Sequence, residues 1–193
     1  MIAGLILWNK LPETLPTHWG FSGEVDGWSS KPFAIFFIPL FMLGMHLICV
    51  LATSMDPKSE GINHKIFRLV LWICPVISVV CMASVYMGGM GMDVKIDTII
   101  PLLMGILFLI IGNYLPKCKQ NYTIGIKLPW TLNDEENWNK THRFAGVVWT
   151  VCAIVIIVGS LFEKGAVYTT FPAITVMALA PMIYSYVYYR KHK

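Results

Sequence analysis

Five stretches of this chain run 18–23 residues without a charged side chain: Phe33–Ser54, Leu69–Gly88, Thr98–Leu115, Phe144–Phe162 and Val167–Tyr189. A helix needs about 20 apolar residues to cross a hydrocarbon core of ~30 Å. Strands crossing a bilayer would instead alternate apolar and polar residues along segments of about 10, and these runs are continuous. Charged residues make up 13% of the 193, roughly half the ~25% of a soluble domain. That is too few to clothe a water-soluble fold of this length. The fold class predicted is therefore all-α: a polytopic transmembrane helical bundle of five full spans. A short or truncated N-terminal hydrophobic segment, Met1–Trp8, precedes them. It has no basic n-region or small-residue cleavage site, unlike a signal peptide.

Orientation follows from the cations. Lys58, Lys65, Arg68, Lys117, Lys119, Lys127, Lys140, Arg143, Arg190, Lys191 and Lys193 fall on one side. Lys10, Lys31, Lys95 and Lys164 fall on the other. The richer side is predicted to be cytoplasmic. This puts segment 9–32 outside, loop 116–142 inside, and the C-terminus in the cytoplasm. A net charge of +4 without a basic face or a nucleic-acid-binding motif argues against direct nucleic-acid binding. Among the five cysteines there is no CxxC; Cys49, Cys74, Cys81 and Cys152 lie in apolar runs and Cys118 in a basic loop. They read as small buried hydrophobes rather than a disulfide framework.

Within the spans, Pro39, Pro75, Pro101, Pro172 and Pro181 each remove a backbone donor and read as structural bends. Gly88, Gly89 and Gly91 read as a tight external turn. Small residues such as Ala178 and Ala180 are candidates for helix packing. His46, midway along a span, is a candidate proton relay; the alternative is a neutral His bonded to a neighbouring helix.

Chemistry is left mainly to two polar loops. The outer one, LPETLPTHWGFSGEVDGWSSK, carries turn-forming prolines and glycines, with Trp19, Phe21 and Trp28 suited to the membrane interface. His18, Glu24 and Asp26 could converge on a cation. One His falls short of the ligand set of a metal site, so a rigid hydrogen-bonded cap over the helix ends is expected, with no metal and no cofactor. In the inner loop, Asn133 is a predicted N-cap, with Glu136 placed to reach back. From there a helix runs straight into the fourth span, with Trp138, His142, Ala145 and Trp149 on one face. His142 with Glu135 or Glu136 could do acid–base work. No nucleophile is paired with a base, however, and HExxH and GxSxG are both absent.

The inner stretch, GNYLPK…NYTIGIKLPWTLNDEENWNKTHRFAG, resembles the signature of the SdpI family of bacterial immunity membrane proteins. The outer stretch resembles the small extracytoplasmic domain of unknown function that often precedes it. That resemblance implies a chain divided into 1–54 and a four-span module, 55–193, in a bacterial cell membrane. It also implies a non-enzymatic role in protecting the cell from a secreted toxic peptide, and a cytoplasmic transcriptional repressor held at the membrane. Family residues carried over are Asn121, Gly125, Pro129, Trp130, Thr131, Glu136, Trp138, Thr141, His142, Arg143 and Gly146, all but Gly146 as binding candidates. Lys127-Leu128 stands where an Arg-Thr pair is common, which keeps a charge but loses the guanidinium fork. His18 and Asp26 join them from the outer loop, and membrane lipids complete the expected partners. The competing reading is a transporter or flippase for a small or lipid-like molecule.

Overall fold

A computed structural model describes residues 1–20, 22–58, 62–162 and 165–192. Phe21, Lys164 and Lys193 lie outside the described residues. The elements in order are α1 (Ile2–Ile6), a 3-10 turn (Trp8–Lys10), β1 (Thr14–Trp19), β2 (Val25–Ser30), a π-helical stretch (Phe33–Phe37) leading into α2 (Ile38–Ser54), α3 (His64–Gly89), α4 (Ile96–Tyr114), a 3-10 turn (Leu115–Lys117), α5 (Pro129–Leu132), α6 (Glu135–Ser160) and α7 (Gly165–Lys191). Five helical segments are long and apolar enough to span a bilayer: Phe33–Ser54, His64–Gly89, Ile96–Lys117, Glu135–Ser160 and Gly165–Lys191. They coincide with the five apolar runs. Large apolar side chains such as Phe41, Leu51, Trp72, Val79 and Ile183 stand exposed on them, as a lipid solvent allows and water would not. The protein is a multi-pass helical membrane protein.

The chain divides into two compact units. Unit 1 comprises Met1–Val50 and Val70–Asp97. Its core gathers Leu11, Leu15, Ala34, Ile35, Met82, Val85 and Tyr86. The outer loop is an antiparallel hairpin, pairing Thr14 with Ser30 and Pro16 with Trp28 before a register shift brings Trp19 opposite Val25. Gly23, at φ +83°, makes the turn, a conformation open to glycine at little cost. Proline lacks a donor, so Pro16 is tolerated because β1 has only one strand neighbour. Lys31 secures the base of the hairpin: Nζ donates to Leu11 O at 2.9 Å and to Trp8 O at 3.3 Å, and pairs with Glu13 at 2.9 Å. Gly88 and Gly89 do more than turn the chain. Both are still inside α3, where a Cβ on Gly88 would come within 3.0 Å of Pro16 Cγ and one on Gly89 would strike Leu15. The hairpin therefore sits directly on the end of α3. The turn itself belongs to Gly91, at φ +78°.

The π-helical stretch has a local cause. Ile38 N donates to Phe33 O, five residues back. The wider turn relieves the clash that Pro39 would otherwise make with the carbonyl four residues before it. Among the described residues, Nδ1 of His46 is buried without a hydrogen-bond partner, so no neighbouring helix holds that atom.

Unit 2 comprises Leu51–Leu69 and Thr98–Lys193. Antiparallel α6 and α7 share a core of Cys152, Ile156, Ala173 and Met177, flanked by Phe108, Val148 and Trp149. Trp149 Nε1 donates to Met177 O at 3.0 Å. The predicted packing residues Ala178 and Ala180 lie elsewhere: Ala178 is exposed and Ala180 half-buried. Close approach is achieved by glycines instead. A Cβ on Gly105 would stand 2.6 Å from Ile157 Cγ1, and one on Gly146 2.6 Å from Pro116 Cγ and 2.9 Å from Gly112 O. Small residues let helix backbones come together in lipid, where apolar surface gains little by pairing.

Candidate functional site

In unit 2 the segment between α4 and α6 is short of regular structure but not of hydrogen bonds. Asn121 is fully buried and organises its first half. Its Oδ1 accepts from the backbone amides of Thr123 (3.0 Å) and Ile124 (2.6 Å), while Nδ2 donates to Lys119 O (2.8 Å). Thr131, also fully buried, ties down the second half: Oγ1 donates to Ile126 O at 2.8 Å and accepts from Leu128 N at 2.9 Å. Gln120 Nε2 bridges to Thr131 O and Leu132 O, each at 2.9 Å, and its Oε1 accepts from Lys58 Nζ at 2.8 Å.

Trp138, Thr141 and His142 stand one and two turns into α6 on its buried face. Trp138 Nε1 donates to Cys118 O at 2.8 Å, and its ring stacks on His142 with centroids 4.1 Å apart. The imidazole is used at both ends. Ile126 N donates to Nε2 at 2.9 Å, so Nδ1 carries the proton and donates to Trp138 O at 2.8 Å. Gly125 crosses this stack at φ +126°, where a Cβ would lie 2.5 Å from His142 Nε2 and 2.8 Å from Trp138 Cη2. The proposed pairing of His142 with Glu135 or Glu136 does not form. His142 is 1% exposed, Glu135 and Glu136 are exposed, and Glu136 pairs with Lys140 one turn on, at 2.9 Å.

The N-cap is also corrected. Asp134, not Asn133, caps α6, with its carboxylate accepting from Glu136 N (2.9 Å) and Asn137 N (3.1 Å). Asn133 belongs to the preceding element, donating from Nδ2 to Pro129 O at 2.8 Å. Pro129 opens α5 at a position where its missing N–H costs nothing, and Trp130 Nε1 reaches Ser185 Oγ on α7 at 2.9 Å. Lys127 is exposed, and its Nζ donates to Thr123 O at 2.9 Å. Arg143 and Glu136 are exposed. Lys140 lies 4.6 Å over the Tyr188 ring.

Several participants were not among the predicted residues. Asp56 is 5% exposed and clamps the segment to the end of α2. It accepts from Thr123 Oγ1 (2.5 Å), Tyr122 N (2.9 Å) and Lys58 N (2.7 Å). Burial pushes its carboxyl pKa up, but these donors outweigh burial and hold it below the ordinary value. Asn137 links α6 to α7 through Ser185 O (3.1 Å) and accepts from Thr141 Oγ1 at 2.9 Å. Cys118 is buried, and burial raises its thiol pKa although Asn121 donates to it. An Asp-Pro pair just after a span was the one sequence sign of Asp56, as a turn former. Asn137 and Gln120 carried no sign.

In unit 1, His18 Nδ1 and Asp26 Oδ1 meet across the hairpin at 2.5 Å, both well exposed. Among the described residues, no group of three or more His, Cys, Asp or Glu side chains converges as a metal set would.

Residues 117–185 match the SdpI/YfhL protein family, and residues 1–43 match a domain of unknown function (DUF1648). The chain is 33% identical over 191 residues to the immunity protein SdpI of Bacillus subtilis (strain 168), covering 98% of this chain and 90% of that protein. The chain belongs to the SdpI family. No solved structure matches it. In this SdpI-family chain, the residues carried over from the resemblance divide into two groups. Asn121, Thr131, Trp138, Thr141 and His142 are buried and hydrogen-bonded to the segment or within α6, Gly125 crosses the Trp138–His142 stack, and Gly146 lets α6 approach Gly112 and Pro116. Lys127, Pro129, Glu136 and Arg143 are exposed at its surface, and Trp130 is half-buried beside α7.

Proposed function

We propose that this chain is a non-enzymatic immunity protein of the bacterial cell membrane, protecting its host from a secreted, membrane-active toxic peptide. The observation that carries this reading is the identity to an immunity protein along nearly the whole chain, both polar loops included. In this proposal residues 1–54 face the peptide with the hairpin, and the module 55–193 carries the response. The C-terminus and the segment 116–142 lie in the cytoplasm, supported by eleven of fifteen cations on that side. The rigid, hydrogen-bonded inner segment presents Lys127, Pro129, Trp130, Glu136 and Arg143 to a cytoplasmic repressor. Toxin shifts the bundle between two states only through its differential affinity for them. A non-enzymatic role is supported by His142, whose two nitrogens are both engaged, leaving neither as a base. Deleting the protein is expected to sensitise cells to the peptide; equal killing curves with and without it would refute the proposal.

A second reading, a transporter or flippase, is favoured by one observation: His46 Nδ1 inside α2 is buried and has no hydrogen-bond partner among the described residues. It predicts proton-coupled flux in proteoliposomes that His46→Leu abolishes. Absence of flux with the intact protein retires it.

A further inference from the structure

Where α6 begins and α7 ends, a cleft of about 300 Å³ opens between Pro129, Trp130, Asn133, Asp134, Tyr189 and His192. Its walls are aromatic. The Trp130 ring lies 6.0 Å from Tyr189 with 25° between the planes, and Tyr186 meets it edge-on at 5.4 Å. The indole N–H is committed to Ser185, which fixes the ring. His192 is held to one side by Tyr188, through an Nδ1 bond of 2.9 Å to the carbonyl and a ring stack at 4.1 Å. Asp134 supplies the acidic side chain. Both of its capping bonds converge on Oδ1, leaving Oδ2 outside the cap.

Aromatic faces beside a carboxylate select a cation, and an organic ammonium above all. Placement narrows the source. The cleft lies at the last turn of a membrane-spanning helix, one residue from Arg190 and Lys191, so the ligands crowding it are lipid headgroups. A headgroup carrying both an ammonium and a phosphate matches an acidic aromatic cleft with basic residues next to it. We propose that this cleft binds the ammonium of an ethanolamine-type phospholipid, with Trp130 and Tyr189 as its aromatic walls and Asp134 as its counter-charge. The proposal does not depend on the immunity reading.

The test uses the full chain in detergent, titrated separately with phosphatidylethanolamine and phosphatidylglycerol, with bound lipid counted by native mass spectrometry. The wild type is expected to retain phosphatidylethanolamine preferentially. Asp134→Asn removes the charge while keeping the N-cap, because Asn caps as well as Asp. Tyr189→Leu is expected to weaken that lipid roughly three- to thirtyfold, the span of a cation–π contact, and Asp134→Asn to weaken it by removing the counter-charge; neither is expected to weaken phosphatidylglycerol. Soluble phosphoethanolamine should compete. Equal retention of the two lipids by the wild type overturns the proposal without recourse to any variant, as does a preference that survives both substitutions. Displacement by an oligolysine peptide but not by phosphoethanolamine overturns it too, assigning the cleft to a protein's cation.

Discussion

Replacing Gly125 with Ala is the sharpest test of the inner segment, because one methyl group meets three obstacles there. At φ +126° the backbone is one that side chains rarely adopt, at a cost of about 1–3 kcal/mol. The new Cβ would stand 2.5 Å from His142 Nε2 and 2.8 Å from Trp138 Cη2, and overpacking of this kind costs ~1–3 kcal/mol. If the imidazole swings aside to relieve the contact, the Ile126 amide loses its acceptor, worth about 1–3 kcal/mol for a buried donor. The three overlap, since movement trades the second for the third, so a loss of roughly 3–5 kcal/mol is expected. Denaturant unfolding of the purified protein in detergent measures it, with hydrogen exchange at the Trp138 indole as a local probe. Gly44→Ala provides the control: nothing lies within 4 Å of that Cβ, and a helix-interior Gly-to-Ala change gains about 0.5–1 kcal/mol. If Gly125→Ala unfolds as late as Gly44→Ala, the polar core around His142 is not what holds this segment.

Three further outcomes follow from the same contacts. Asp56→Ala takes the acceptor from the Lys58 and Tyr122 amides and leaves the Thr123 hydroxyl only the longer bond to Ala52 O at 3.3 Å; it should cost ~1.5–3 kcal/mol, read by denaturant unfolding at pH 7. Because the folded-state pKa of Asp56 is depressed, its contribution is complete above the ordinary value of 3.8 and is lost as pH falls through the lower folded value; Asp56→Asn should flatten that acid limb and leave its neutral side flat. Lys31→Met removes the ties to Leu11 O, Trp8 O and Glu13; amide exchange in β1 and β2 should accelerate by at least about tenfold, as ~1.4 kcal/mol implies. Gly105→Ala drives a Cβ onto Ile157 and should destabilise unit 2 by about 1–3 kcal/mol, whereas Ala178→Leu on the exposed face of α7 should be near neutral.

What could be read from the sequence was set by solvent. A lipid surround writes itself along the chain as uninterrupted apolar runs, so the five spans were legible. So was the passage of α6 from Glu135 straight through Trp138 and His142 into its apolar part. The hairpin was not, because Pro12, Pro16, Gly20 and Gly23 signal turns and the strands between them are short and shift register at His18. The cap moved by one residue because Asn133 and Asp134 are both good caps, and only the competing bond from Asn133 to Pro129 O decides between them. Gly105, Gly112 and Gly146 escaped notice as packing residues because their contacts lie across helices and make no GxxxG spacing. Asp56, Gln120 and Asn137 act on partners tens of residues away, and such pairings leave no local pattern. His142 is held by burial and by two hydrogen bonds to backbone groups, Ile126 N and Trp138 O, and no side-chain pattern along the chain announces backbone partners.

Single cysteines placed at Lys119 and at Glu24 in a background lacking the five native ones would test the topology on which everything functional rests. With a membrane-impermeant maleimide on intact cells, the account predicts labelling at position 24 and protection at position 119 until the membrane is opened. Labelling at 119 from outside, or protection at 24, would contradict it.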